Sequence, residues 1–395
     1  MVTAGSSRWS RRFVVFSAIS LVLWRLGALT GVPRRTEVVL ALFGFVLHMV
    51  FGMGYLLIPS YFERVLDAKW PPAVQLGLTG VGTGFLAVAS LPVGPPVVER
   101  LGAIAWFLGV IVFLGTILWT VRDNLAGRET GTGAGKEEFQ WVDRYANPFM
   151  LVALGYVLVG SYELLAHASL LPGITDGYAP RVSHLLAAGG AALLVFTLGV
   201  RIAPRFLGVP ARKELVVVVL PAGALGPALL AYGLGGGPAF IAGALVEATA
   251  MVGFAGAYGL MFARSERRTV GLAGVLTGVA CGIAGVSLGL SFAFGTVTTG
   301  LITAHLQLNL LGFLGLCIIG FAMQFFPPTV GRFRGATETT VWLVIAALFG
   351  GLVSIVVGTL GEVSVLVTAG NVLALTGTVV YGYLAIRLMI TVGSR

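Results

Sequence analysis

Twelve stretches of about 20 mostly apolar residues, each bounded by charge, proline or glycine, constrain this chain more than any other feature. They run 13–31, 37–59, 72–94, 101–121, 148–171, 181–203, 214–235, 238–263, 269–294, 299–326, 339–361 and 364–386. A chain in hydrocarbon must satisfy its own backbone hydrogen bonds, so stretches of this length read as spanning helices. The expected fold is an all-α integral membrane protein, residues 1–395 forming one polytopic domain. Only 10% of residues are charged, against about 25% in soluble domains, which excludes a soluble enzyme or a disordered regulator. The first stretch follows Arg8, Arg11 and Arg12 like a signal peptide, but it carries Arg25 and lacks a small-residue cleavage site, so it is expected to remain as a helix. The longest polar interruption, residues 122–147, contains Gly-Thr-Gly-Ala-Gly at 131–135 and reads as a flexible connector.

The net charge of +9 must be read loop by loop. The two ends and the loops on their side of the membrane hold 20 of the 25 Lys and Arg, the opposite loops hold 4, and Arg25 lies inside the first helix. By the positive-inside rule both termini are cytoplasmic, in a multi-pass protein of the plasma membrane. The excess positive charge then suits anionic lipid, and no nucleic-acid partner is needed to explain it.

A repeat is concealed in the even-numbered helices. Gly44-Phe45 is followed by Gly52 and Pro59 at offsets of 8 and 15, and Gly312-Phe313 by Gly320 and Pro327 at the same offsets. In the sixth helix Gly189 precedes Pro204 by 15, with Thr197 at the middle position. The units lie four helices apart, so the twelve read as three pseudo-equivalent four-helix arcs. Close packing at glycine and helix ends at proline could produce part of this pattern.

The scarce chemistry is four histidines. At about 1.5 Å per residue, His305 lies roughly 33 Å before Pro327 and His184 roughly 30 Å before Pro204, near the outer ends of their helices. His167, near the end of the fifth helix, returns to the same layer, while His48, about 16 Å before Pro59, falls near the bilayer centre. Ionisable groups in hydrocarbon are costly and are functional candidates, and imidazole suits iron, copper and zinc. Glu163, four residues before His167, is placed to accept from that ring or to relay protons. Glu247 is a second intramembrane carboxyl, and Arg25 a buried cation. Cys281 and Cys317 lie in apolar runs, with neither a disulfide framework nor a Cys-x-x-Cys-His haem attachment site.

The run Ala304-His305-Leu306-Gln307-Leu308-Asn309 through Pro327 and Gly331-Arg332 resembles the tenth helix of subunit I of haem-copper oxidases. That helix carries His-x-His near its outer end. The resemblance assigns His305 to a haem iron and puts Gln307 where the family has its second histidine. Gly52-Met53-Gly54-Tyr55-Leu56-Leu57-Ile58-Pro59 is similar to the family's second helix, although His48 sits deeper, and His184 lies in the helix that supplies a copper ligand. The family uses six histidines, so four imply a divergent relative without a complete oxygen-reducing centre. The haem- and copper-containing NnrS-type membrane proteins of nitric oxide metabolism are similar in topology. The resemblance implies a b-type haem, with or without copper, held by some of His305, His184, His48, His167 and Gln307, with metal at His305, His184 and His167. It also implies a redox or nitric oxide role and a respiratory-chain subunit or redox donor as partner. The alternatives are a secondary transporter using Glu163, Glu247 and Arg25, and a cofactor-free assembly subunit.

Overall fold

The computed structural model describes residues 4–393 apart from 67, 170 and 296, and its regular structure is helical. Arg395, counted above among the basic residues, lies outside the described residues. Twelve helices are long and apolar enough to cross a membrane: α1 (Arg8–Thr30), α2 (Arg34–Tyr61), α3 (Pro71–Ala89), α4 (Pro96–Val121), α5 (Glu137–Ser169), α6 (Ala179–Leu207), α7 (Lys213–Gly233), α8 (Pro238–Arg264), α9 (Val270–Phe294), α10 (Thr299–Phe325), α11 (Glu338–Leu360) and α12 (Ser364–Thr391). Each apolar stretch of the sequence corresponds to one of them. The face where α1 begins and α12 ends is called the terminal face below, and the other the far face.

Three helices form the centre. The apolar windows of α2, α6 and α10 are 83%, 78% and 78% buried, against 33–50% for the other nine. The nine close a ring around them. α3 packs on α4, α7 on α8 and α11 on α12, and these pairs are joined by the contacts of α4 with α5, α8 with α9 and α12 with α1. Contacts of α1 with α3, α5 with α7 and α9 with α11 complete the circuit. Every relation recurs after four helices.

Local details recur at the same interval. α2, α6 and α10 each contain a π-helical segment, Val39–Leu47, Leu185–Ala192 and Leu308–Gly315. These hold Gly44, Gly189 and Gly312, the glycines that head the sequence repeat. Beyond them the three helices enclose an apolar cavity, about 720 Å³ including its mouth. Positions 6, 9 and 13 after each repeat glycine line it: Val50, Val195 and Ile318, then Met53, Leu198 and Phe321, then Leu57, Ile202 and Phe325.

The outer pairs cross at matching glycines. A Cβ on Gly82 of α3 would lie 2.7 Å from the Trp106 amide of α4, and one on Gly351 of α11 equally close to the Ala374 amide of α12. On Gly226 of α7 it would lie 3.1 Å from the Glu247 amide of α8. Gly102, Gly243 and Gly370, four residues before those partners, pack in turn on the amides of Leu86, Leu230 and Ile355. Small residues here let the backbones approach closely, which is how helices associate where no hydrophobic drive exists.

Residues 122–147 are not an open connector. α5 begins at Glu137, eleven residues before the apolar stretch, and carries Pro148 within it. Its polar first turns are helical because their partners come from elsewhere. Asp143, fully buried, pairs with Arg201 at 3.1 Å and Arg205 at 2.5 Å. Arg201 also bonds Asn147 Oδ1 and donates to the Thr130 carbonyl at 2.8 Å, over the Tyr61 ring. Asn124 donates to the carbonyls of Phe62 and Glu129, at 2.9 and 2.8 Å. Gly127 and Gly131, with φ of +63° and +58°, sit where a Cβ would collide with Asn147 and the Ser60 carbonyl.

Candidate functional site

His184 and His305, 121 positions apart in sequence, come together. Their ring centres are 6.4 Å apart with 23° between the planes. Each stands beside a π segment: His184 immediately precedes that of α6, and His305 lies three residues ahead of that of α10. An inserted π turn re-aims the side chains around it and is common at functional sites.

Both rings are held from behind. His184 Nδ1 lies 2.7 Å from the Pro180 carbonyl one turn earlier, and His305 Nδ1 lies 2.9 Å from the Gly285 carbonyl of α9. A carbonyl only accepts, so Nδ1 carries the proton in each neutral ring and Nε2 keeps its lone pair. No side chain among the described residues is hydrogen-bonded to His184 Nε2. The nearest amide to His305 Nε2 is Asn309 Nδ2 at 3.5 Å, which already donates to the His305 carbonyl at 2.8 Å. α9 makes room for this arrangement, since a Cβ on Gly289 would lie 2.9 Å from His305 Cε1. Phe292 closes the side of the ring at 5.4 Å.

An Nδ1–H given to a backbone carbonyl, with Nε2 left over, is the usual preparation of a metal-binding histidine. Among the described residues no group of three or more His, Cys, Asp or Glu is placed to hold a metal ion. A pair alone suits a group that brings its own equatorial ligands, as haem does, or copper in a low-coordinate state.

The other candidates stand apart from this pair. His48 is fully buried among Phe13, Phe16, Phe51 and Trp106, with Nδ1 2.7 Å from the Phe43 carbonyl and Nε2 3.0 Å from the Thr79 hydroxyl. Both of its nitrogens are used, so the expected ligand is here a satisfied core histidine. His167 is exposed and packs beside Gly177 in the loop after α5, away from the histidine pair that it was expected to join. Glu163 does not turn to His167. Its carboxylate accepts from the amides of Ile174 at 2.6 Å and Thr175 at 3.0 Å, and from the Thr175 hydroxyl, which fastens the far-face loop.

Gln307 is also committed elsewhere. Its oxygen accepts from Arg25 Nη1 at 2.9 Å and its nitrogen donates to Glu37 at 3.3 Å. Trp24 Nε1 donates to the same Glu37 oxygen at 3.2 Å, and Arg25 Nη2 donates to Asn371 Oδ1. This buried network ties α1, α2, α10 and α12 together, so Gln307 is not placed as an iron ligand. Arg25, Glu163 and Glu247 share no partner, so the single midplane site of the transport reading is not assembled. The sequence reading missed Glu37, which looked like the boundary of the second apolar stretch. It also missed Asn309, which lies one helical turn after His305.

A search of protein families and of curated proteins found no match for the chain.

Proposed function

We propose that this protein binds a redox-active metal cofactor, a b-type haem or copper, through His184 and His305 in the half of the membrane near the far face. The observation that carries the reading is the pair itself: two imidazoles from two central helices, each with Nδ1 on a backbone carbonyl, with ring centres 6.4 Å apart. The recurring four-helix relations support three pseudo-equivalent arcs, the architecture that the resemblance to subunit I of haem-copper oxidases implies. Such a cofactor would supply one-electron transfer. This chain's part is to fix the two rings through the Pro180 and Gly285 carbonyls, to pack α9 against His305, and to hold Arg25 and Glu37 on Gln307, two residues after His305. The role that follows is redox or nitric oxide handling in respiration or denitrification, in a plasma membrane with cytoplasmic termini. A respiratory subunit or redox donor would be its partner.

His184→Ala and His305→Ala test the reading. Each is expected to remove the cofactor from purified protein, whereas His48→Asn and His167→Ala retain it. Full cofactor content in His305→Ala overturns the assignment.

A further inference from the structure

The three matching crossings of the outer helix pairs single out one residue. Four residues after Gly102, Gly243 and Gly370 stand Trp106, Glu247 and Ala374, each with its backbone against a glycine of the neighbouring helix. In two arcs this place holds an apolar side chain that fills it: Trp106 is fully buried, with its indole N–H on Ser161 at 3.0 Å, and Ala374 is fully buried. The third holds a carboxyl. The crossing is therefore made without a charge in two of its three occurrences, and packing does not explain Glu247.

The surroundings of Glu247 also leave it unpaired. Its Oε2 is buried and has no hydrogen-bond partner. It occupies the space that the missing side chain of Gly226 leaves open, where a Cβ would lie 2.5 Å from it. Gly226 lies between Pro221 and Pro227 of α7, whose missing N–H groups free backbone carbonyls of that helix. The titratable group facing Glu247 from α5 is Tyr156, whose hydroxyl already donates to the Ala224 carbonyl at 2.5 Å. On α9 the titratable group is Cys281, which packs on Gly312 of α10, α6 has His184 near its start, and α7 has Tyr232 at its far end. The basic residues of α6, α7 and α8 stand towards the helix ends: Arg181, Arg201, Arg205, Lys213 and Arg264. Among the described residues no cation is thus placed to pair with the carboxyl, and an unpaired carboxylate in hydrocarbon neutralises by taking up a proton.

We infer that Glu247 is a proton-binding site inside the membrane, at the α7–α8 crossing and separate from the imidazole pair. Its ligand is the proton, and its protonated carboxyl is open to lipophilic reagents. A carbodiimide adds across it: the carboxyl proton moves to one carbodiimide nitrogen, the oxygen bonds to the central carbon, and acyl transfer to nitrogen yields a stable acylurea with nothing lost.

The test uses the full chain in liposomes. Dicyclohexylcarbodiimide is expected to label Glu247 near neutral pH, read by peptide mass spectrometry, and labelling is expected to fall as pH rises. The buried carboxyls Asp143 and Glu163, already held by arginines and backbone amides, are expected to remain unlabelled. Infrared difference spectra should show a protonated carboxyl band that Glu247→Gln removes. The inference is overturned if Glu247 stays unlabelled while its variant and the wild-type protein share the same infrared band, or if labelling is indifferent to pH. Cofactor content in Glu247→Gln is expected to equal wild type, so failure here and failure of the imidazole reading are distinguishable.

Discussion

Asp143→Asn removes one charge from the clamp at the terminal face, where Asp143 and Arg201 side chains are both fully buried and Arg205 is 22% exposed. Asparagine keeps the shape and an acceptor for Thr132, which now donates to Asp143 at 2.7 Å. It leaves two guanidiniums without their counter-ion. Breaking a buried pair from one side costs about 3–5 kcal/mol, because the surviving charge stays desolvated. Arg201 retains Asn147, the Thr130 carbonyl and the Tyr61 ring, which places the expected loss near the lower end, about 3 kcal/mol. Arg205→Ala should cost far less, about 0–1 kcal/mol, since Arg205 is partly exposed and Asp143 keeps Arg201. The double variant Asp143→Asn with Arg201→Met removes both desolvated charges and should be more stable than the sum of its single effects. Unfolding of the detergent-solubilised protein by SDS, followed by tryptophan fluorescence, measures these three and the single Arg201→Met variant. An Asp143→Asn protein within about 1 kcal/mol of wild type, or strict additivity in the double variant, refutes the clamp.

At the helix crossings, Gly82→Ala and Gly351→Ala set a methyl 2.7 Å from a backbone amide that cannot rotate away. Each should lower stability by about 1–3 kcal/mol in the same unfolding assay. Gly226→Ala meets the movable Glu247 carboxyl first and should cost less than either; the reverse order would contradict the packing. Ala322→Leu, pointing into the axial cavity, should leave stability unchanged or raise it by about 0.5–2 kcal/mol, and a marked loss would mean the space is otherwise filled. In the far-face loop, Glu163→Ala should speed amide exchange at Ile174 and Thr175, whose N–H groups it now accepts; unchanged protection would refute the cap. Asp176 in that loop is held below the usual carboxylate value of 3.8, mainly by the Tyr178 amide and then by Arg181. A lowered folded value means the contribution is present at neutral pH and is lost as pH falls through it. Exchange in the loop should therefore rise only under strong acidification, and a rise already near neutral pH would contradict the pairing.

The twelve spans were legible because a run of about 20 apolar residues has few other fates. The start of α5 was not, since Asp143 and Asn147 look like loop residues until Arg201, 54 or more positions away, supplies their partner. The glycine repeat was visible as spacing, but the π segments it marks were not, because an apolar helix carries no signal for where its turn widens. Distance to a proline and to the helix end put His167 in one layer with His184 and His305, and of the three only His184 and His305 come together. Their meeting depends on how α6 and α10 rotate about their own axes, which an all-round apolar helix does not encode. His48 and Glu163 show the converse limit. His48 was expected to hold a metal and Glu163 to accept from His167, but Thr79 and the amides of Ile174 and Thr175 reached them first.

A metal cofactor held by His184 and His305 has a direct spectroscopic signature. Its presence is tested most directly by a reduced-minus-oxidised visible spectrum of the purified protein, with iron and copper analysis of the same sample, for wild type beside His184→Ala and His305→Ala. The expected result is a stoichiometric b-type haem spectrum or stoichiometric copper in the wild type, lost in both variants. A featureless, metal-free wild-type protein from a haem-competent, copper-supplied host, or a cofactor that survives both substitutions, contradicts it.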